Sequence, residues 1–479
     1  MIKLRLYNTM SAQVEEFQSL NSFKVGLYAC GITAYDYTHL GHLRKYTMDD
    51  VLVRTLKYFA YQVKHVQNIT DVGHLTSDSD TGQDKIEKGV KKYHKTAWEL
   101  VNFFTNFFYQ SMDKMGALRP NIICKASEHI REQLDLVLDL EKKGLTYLIE
   151  DDGVYFDTSQ ISDYGKLARL NKKTLKKGAR VNYVKGKKNP TDFALWKFEK
   201  IGEKRLMVWL SPWNPRSFPG WHIECSAMSI KYLGTQFDIH TGGIDHISVH
   251  HTNEIAQSEA FSGQKPFVKY WVHHNFLRIN GKKMSKSLNN FYTLSDLEKQ
   301  GFHPRALRLL FLTTHYRSEM NFTFDNLKGI QKTYQKIKQQ VKNLVQQIHS
   351  DFICSTQRVL NYQNSFQQCL ANDLNTSQAL EVFFKIFKDS NLLDNEKVFL
   401  IKDFDKVFAL DLFNFKEIKD KVVCFNEVDP IVKDLINQRK QAKNDKNYQS
   451  ADKIRLQLKE LGYLIIDQKN GVTEIKKMD

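Results

Sequence analysis

Cysteine is scarce in this chain: six in 479 residues, at positions 30, 124, 225, 354, 369 and 424. So thin a scatter excludes a disulfide scaffold and points to a reducing compartment. No apolar run is long enough to cross a membrane, and the opening Met1-Ile-Lys-Leu-Arg-Leu-Tyr-Asn8 lacks the apolar core of a signal peptide. A cytoplasmic protein without a membrane partner is therefore expected. Acidic residues are also short in supply. With 54 Asp and Glu against 70 Lys and Arg, the formal charge is +16. That reads either as a solvated basic surface or as the footprint of a polyanionic partner. The rest is an ordinary globular mix, 42% hydrophobic and 26% charged, in a chain too long for one hydrophobic core, so two to four domains are expected.

One stretch organises the rest. Phe23, Val25, Leu27 and Ala29 alternate with Lys24, Gly26, Tyr28 and Cys30, the period of a strand, which Gly31 is expected to end. Then Leu43, Thr47, Met48, Val51, Leu52, Thr55, Leu56 and Phe59 recur by three and four, one face of a helix that starts near Gly41. His39 and His42 thus sit at a helix N-terminus, where free N–H groups and the helix dipole favour phosphate and Gly41 admits a nucleotide close to the backbone. Read alone, the same two histidines are a helix cap and a packed ring. Val63–Thr70 reads as a second strand, followed by a polar loop to Gly82. Strand, helix and strand in this order predict a right-handed parallel crossover, hence a doubly wound sheet with its ligand at the strands' C-terminal ends and Thr70 facing the crevice.

The pattern changes from 113 to 204: a helix over His129–Lys143, a strand over Gly153–Asp157, and a basic loop over 172–188 whose Lys172, Lys173, Lys176, Lys177 and Arg180 read as a solvated face or as an RNA-backbone contact. This is taken as an insertion between the halves of the sheet (1–112 and 205–302). The second half resumes near Met207 with a helix over Trp221–Lys231, a strand over Gln236–His240, a close-approach turn at Gly242-Gly243, a helix over His250–Phe261 and a strand over Tyr270–Asn280. After Phe302 the pattern is helical, and Leu327, Ile330, Tyr334, Ile337, Val341, Leu344 and Ile348 form the seam of a long helix in a bundle assigned to 303–425. A last unit, 426–479, has two basic helices carrying Arg439, Lys440, Lys443, Lys453 and Arg455. Two strands, Tyr463–Asp467 and Val472–Lys476, turn across Asn470-Gly471 to close it.

His39-Leu-Gly-His42 after the first strand, with Lys283-Met-Ser-Lys286-Ser287 far downstream, resembles the signature pair of the class I aminoacyl-tRNA synthetases. Thr70-Asp71, Pro190-Thr-Asp-Phe-Ala-Leu-Trp196-Lys, Gly220-Trp-His-Ile-Glu-Cys225-Ser-Ala-Met, Gly242-Gly-Ile-Asp245 and His250-His-Thr-Asn-Glu254 extend the resemblance over nearly the whole chain and narrow it to the cysteinyl-tRNA synthetase family. The resemblance implies an α/β fold: a Rossmann-like catalytic domain with an insertion, then a helical bundle that meets the tRNA stem and a small C-terminal α+β unit that meets the anticodon. It implies activation of cysteine with ATP and Mg2+ and transfer to tRNA(Cys), by a chain expected to be monomeric. His39, His42, Lys283 and Lys286 take the catalytic roles; Gly31, Gly41, Gly242, Gly243, Asp245 and Lys286 bind ATP; Thr70, Trp221 and His222 shape the amino-acid pocket.

Cys30, Cys225, His250 and Glu254 form the second constellation. His250 and Glu254 share one helix face, and two thiolates, an imidazole and a carboxylate suit zinc. By spacing alone the four are dispersed and lack a Cys-x-x-Cys pair, so buried structural cysteines are the plainer reading. The resemblance assigns them to one zinc ion per chain that ligates the substrate's thiolate, with His250 rather than His251 as ligand. Two departures from the family pattern, Val249 in place of a proline and Asn214-Pro-Arg-Ser-Phe-Pro219 in place of a glycine-rich loop, touch no ligand. No stretch reads as a separate hydrolytic domain. Two rivals share these motifs: a ligase joining cysteine to an amino sugar, against which the basic C-terminal unit speaks, and a catalytically dead RNA-binding relative, against which intact His42 and Lys286 speak.

Overall fold

Five parallel strands carry the site. The computed structural model describes residues 2–477 apart from 74–83, 171–183, 201, 286–287, 349–355, 416–420, 423–424, 426–427, 446 and 468–472. Most of the basic loop, the Asn470-Gly471 turn, Lys286 and Ser287 lie outside the described residues. The chain divides into two compact units, Met1–Leu412 and Phe413–Asp479.

In the first unit an antiparallel pair, β1 (Arg5–Asn8) and β2 (Gln13–Glu16), precedes β3 (Lys24–Thr33). Helix α1 (Leu40–Tyr58) leads to β4 (Gln62–Thr70), then α2 (Lys85–Tyr93) and α3 (Ala97–Met115) to β5 (Ile122–Lys125). Helix α3 starts on a Thr96–Glu99 capping box and stops at Gly116, whose φ of 77° suits glycine. After α4 (Ile130–Lys142), four short antiparallel strands follow: β6 (Thr146–Ile149), β7 (Gly153–Phe156), β8 (Phe193–Phe198) and β9 (Ser217–Pro219). Helix α5 (Trp221–Leu233), β10 (Phe237–Gly243), α6 (His250–Ser262) and β11 (Val268–His274) complete the crossovers. The sheet order is β11-β10-β3-β4-β5, all parallel. Chain direction along the sheet reverses between β3 and β10, the switch point that leaves a crevice at the strands' C-terminal ends.

Four differences from the sequence expectation have physical reasons. β3 does not end at Gly31: its register against β4 slips between Ala29 and Ile32 and pairing resumes to Thr33. The stretch read as an insertion from 113 also supplies β5, a buried-sheet strand whose four residues are too few to show a period. Its own small sheet ends on β9, beyond 204, and packs Phe156, Phe193 and Trp196 with Leu136 and Val137 of α4 and Ile223 and Ala227 of α5 in one core. Gly242 and Gly243 are the last two residues of β10, paired with His273 and His274, rather than a turn.

The expected strand over Tyr270–Asn280 is two. β11 ends at His274, and β12 (Leu277–Ile279) joins a different sheet with β13 (Lys282–Lys283) and β14 (Met320–Phe322). Arg44, 2% exposed, holds the break: its guanidinium donates to the carbonyls of Asn275, Phe276, His315 and Ser318 at 2.7–3.1 Å. Helices α7 (Leu294–Lys299), α8 (Pro304–Leu312), α9 (Phe324–Gln347), α10 (Gln357–Ala371), α11 (Thr376–Lys388) and α12 (Asp394–Phe408) follow. Leu327, Tyr334, Ile337 and Val341 are the buried face of α9, as its spacing predicts. On α1 the predicted face is buried too, but so are Arg44, Asp49 and Asp50. Asp50 pairs with Arg54 at 2.8 Å and with fully buried Arg308 at 2.5 Å. Buried charges persist only when paired in this way.

The second unit contains β15 (Lys421–Val422), α13 (Pro430–Asn444), α14 (Tyr448–Glu460), β16 (Tyr463–Asp467) and β17 (Thr473–Lys477), with sheet order β15-β17-β16. Asp429 caps α13 and Pro430 occupies its first turn. Arg439 and Lys443 both bind Asp467, Arg439 through two nitrogens at 3.1 and 2.7 Å, so these two of the five basic residues brace the unit's own sheet.

Candidate active site

One end of the crevice is built at the start of α1. His39 is the N-cap: its Nδ1 accepts from Gly41 N at 3.1 Å and His42 N at 3.4 Å. The two imidazoles stack with centroids 3.8 Å apart, and Phe291 meets His39 edge-on. A Cβ on Gly41 would lie 3.0 Å from the His39 ring and 4.0 Å from Met284, so glycine here lets the cap ring and the lysine loop approach the helix end. A cavity of about 560 Å³ opens in front, lined by Thr33, Tyr37, His39, His42, Lys88, Met284 and Ser285 among others. Lys283 is exposed on β13 and pairs with Arg278 across the strands. Asn290 braces the loop beyond it, accepting from Ser285 N at 2.7 Å and donating to Lys283 O at 3.1 Å. The cap reading thus holds for His39, while His42, exposed beside it, gives its backbone N–H to that cap.

At the other end the structure brings Cys30 from β3, Cys225 from α5 and His250 and Glu254 from α6 together: one ligand atom of each lies within 4.8 Å of the others, and all four residues are buried. His250 Nε2 is 2.9 Å from Glu254 Oε1. A second group, Cys30, His240, His251 and Glu254, shares two of the same residues. In it, His251 Nε2 lies 3.4 Å from Cys30 Sγ while its Nδ1 faces His273 Nε2 at 2.8 Å, and His240 Nε2 bonds Glu254 Oε2 at 2.9 Å. Only the first group contains both sulfurs, the donors a soft cation prefers. In the second, His240 and His251 hydrogen-bond Glu254 and Cys30, the two residues the groups share.

The electrostatics follow from this crowding. Burial pushes the Cys30 thiol up, but a hydrogen bond from Cys225, with His251 and His240 alongside, outweighs it and holds Cys30 well below its ordinary value. Cys225 is driven well above its own, first by that same bond and then by burial. Burial disfavours a charge on His250; Glu254 and the Cys30 sulfur overcome it, and the imidazole is raised to about 10.

Thr70, buried, donates to Glu224 Oε2 at 3.2 Å. Trp221 packs on His250 with centroids 4.4 Å apart, and the Lys85 ammonium lies 5.5 Å from its indole. His222 Nδ1 is 3.0 Å from His250 Nδ1. A Cβ on Gly242 would come within 2.5 Å of the His251 ring, so its missing side chain makes room for the histidine cluster. Asp245 is exposed beyond it, and its carboxylate occupies the space a Gly243 side chain would take. His240, His246, His273 and Asn68 escaped the sequence reading. His246 follows the C-terminal end of β10 and His273 is next to last in β11, and that position was the available signal for these two; His240 lies mid-strand in β10.

A parallel sheet reversing at β3 and β10, with a His-x-Gly-His helix start and a lysine loop at its C-terminal edge, defines a class I aminoacyl-tRNA synthetase catalytic domain. The family model for the tRNA synthetases class I (C) catalytic domain matches residues 16–332. The chain is 40% identical over 498 residues to the cysteine–tRNA ligase of Treponema denticola, with 100% of both chains covered. It is 41% identical over 471 residues to cysteine–tRNA ligase 1 of Burkholderia lata, covering 98% of this chain and 96% of that one. Among solved structures it resembles Mycobacterium tuberculosis methionyl-tRNA synthetase in complex with methionyl-adenylate, TM-score 0.56 at 12% identity over 81% of this chain and 90% of that one. A LeuRS–tRNA–LeuAMS complex from Agrobacterium radiobacter K84 overlays with TM-score 0.57 at 12% identity, over 82% and 84%; at such identity the likeness is of fold. The chain belongs to the cysteine–tRNA ligase family. Among the described residues no helix is long and apolar enough to cross a membrane.

Proposed function

We propose that the chain activates cysteine with Mg2+-ATP to cysteinyl-adenylate and pyrophosphate, then passes the cysteinyl group to the terminal adenosine of tRNA(Cys), with zinc held by Cys30, Cys225, His250 and Glu254 selecting the amino acid. The observation that carries this is the convergence of those four buried donors from three elements within 4.8 Å, beside Thr70 and Trp221. Two thiols, an imidazole and a carboxylate are a donor set that would hold zinc, and a substrate thiolate would join them as a further ligand. When bound, zinc supplies a soft Lewis acid that favours sulfur over oxygen and lowers a thiol's pKa. Serine and cysteine differ by one atom, and a pocket judging size and polarity alone discriminates by only about 1–3 kcal/mol.

The chain's own residues do the rest. Thr70, Trp221 and His222 close the amino-acid pocket and exclude water. Adenylation moves charge onto the α-phosphate and the leaving pyrophosphate, so the enzyme has mainly to orient the reactants and neutralise that charge. His39 and His42 meet the phosphates at the helix start, Lys283 and Lys286 from the loop, and Gly31, Gly41, Gly242, Gly243 and Asp245 receive the adenosine side. The units that follow the catalytic sheet hold the tRNA. The test is metal analysis with cysteine-dependent pyrophosphate exchange, serine as competitor. About one zinc per chain is expected from a single four-ligand site. Zinc-free protein, or an unchanged preference for cysteine after metal removal from still-folded enzyme, would refute the metal role.

A further inference from the structure

The slip in register between Ala29 and Ile32 takes the peptide joining Cys30 to Gly31 out of the β3–β4 ladder. A buried peptide that leaves a sheet must find other partners for its C=O and N–H. Here side chains supply both. Lys45 Nζ donates to the Cys30 carbonyl at 2.8 Å and Tyr46 Oη donates to the same oxygen at 3.1 Å. From the opposite side, Asn68 Oδ1 accepts from Gly31 N at 2.8 Å. One peptide unit is thus gripped at both ends by three side-chain hydrogen bonds. Its glycine is obligatory, because a Cβ there would lie 1.5 Å from the Asn68 carbonyl oxygen.

The grip extends into the amino-acid pocket. Asn68 Nδ2 donates to Thr70 Oγ1 at 3.1 Å, and Thr70 gives its single proton to Glu224, the neighbour of Cys225. A bonded path therefore runs from Gly31 on β3 through Asn68 and Thr70 on β4 to Glu224 on α5. On the other side Lys45 is fixed by Asp49 at 2.8 Å, and Asp49 by His274 at 2.8 Å. Lys45 and Tyr46 stand on the first turns of α1, whose start carries His39 and His42.

We infer that Asn68, Lys45 and Tyr46 are positioning residues that aim the Cys30 sulfur, and that Asn68 locks this aim to the Thr70 hydroxyl of the cysteine pocket. The inference rests on the proposal that Cys30 is a metal ligand. A bulge re-aims the side chain it carries, and the peptide clamped here is the one that sets the direction of Cys30. Asparagine is required at 68 because it must accept from Gly31 and donate to Thr70 at once. Aspartate, of the same shape, keeps the first bond but cannot donate at the second, so Thr70 must turn its one proton from Glu224 to the new carboxylate or leave two oxygens facing each other unbonded.

The test is Asn68→Asp in the full chain. Zinc affinity by chelator competition should fall about 10–100-fold, the range for outer partners of metal ligands. The visible thiolate bands of the cobalt-substituted protein should shift, and the cysteine KM should rise while the ATP KM stays. Should that variant fail to fold, Tyr46→Phe decides the matter, since it removes one oxygen and keeps the ring packed on Phe108; a loss of about tenfold is expected, the low end of the same range. A zinc-loaded parent whose folded variant holds metal as tightly, with the same cobalt spectrum, overturns this inference alone. A parent that binds no zinc overturns the metal reading and this inference with it.

Discussion

At one end of the crevice Cys30, Cys225, His250 and Glu254 are each 4% exposed or less, whereas at the other His42 and Lys283 stand in solvent. The buried end is closely held: hydrogen-bonded histidines surround the donors, and helices and strands, not loops, position them. The open end is half-built, with His39 already engaged in capping α1 and a loop steadied by Asn290. The difference teaches where each task needs rigidity. On the proposed function, telling sulfur from oxygen would depend on fixed donor positions, while charge that develops only in the transition state would be met by groups that stay hydrated until phosphates arrive.

The largest break in this comparison is Cys225→Ser. Losing a metal site forfeits several kcal/mol of charge stabilisation, so cysteine activation should fall roughly a thousandfold, with ATP binding unchanged in an equilibrium titration. Lys286→Ala strikes the open end. By analogy with losing one oxyanion donor, about 3 kcal/mol, adenylate formation should slow about 100-fold with cysteine binding intact; pre-steady-state formation near the parent rate would take Lys286 out of the mechanism.

A subtler probe of the buried end is Asp49→Asn. Burial pushes the Asp49 carboxyl up, but Lys45 and His274 outweigh it and hold the group far below the usual carboxylate range. As pH falls through about 4 the unfolded chain takes up this proton and the native chain does not. Its contribution is therefore full above that pH and lost as pH falls further. An amide at this position has no such proton, so the variant should be less stable at neutral pH by about 2 kcal/mol, as for a buried group left without its partner, with a shallower acid slope in denaturant melts. Deleting 413–479 should disturb the crevice least. Pyrophosphate exchange should continue, while the tRNA KM rises several-fold and its salt dependence drops by about one log unit for each phosphate that unit would have neutralised. Equal loss of both half-reactions would assign that unit to folding.

Much of this was legible in the sequence for a simple reason: long periodic segments announce themselves. The faces of α1 and α9, the crossover order and the position of His39 and His42 all followed from spacing. The dispersed donors did not. Nothing in the intervals between Cys30, Cys225 and His250 says they meet; that came from family resemblance, and the fold supplies the reason, since all three lie at the C-terminal edge of one sheet or on the helices beside it. Arg44, Asp49 and Arg308 were illegible because a charged letter on a helix reads as surface until its partners are known. β5 and β14 were missed, and β12 was merged with β11, because three or four residues cannot establish a period.

Arg44 has a mechanical consequence. One guanidinium, rooted in the helix that presents His39 and His42, pins both the corner where β11 gives way to β12 and the turn at His315–Ser318. The strand pair β12–β13 that leads to Lys283 is therefore tethered, at its first corner, to the same helix whose start carries the two histidines, so a change at either place is felt at the other through a single side chain.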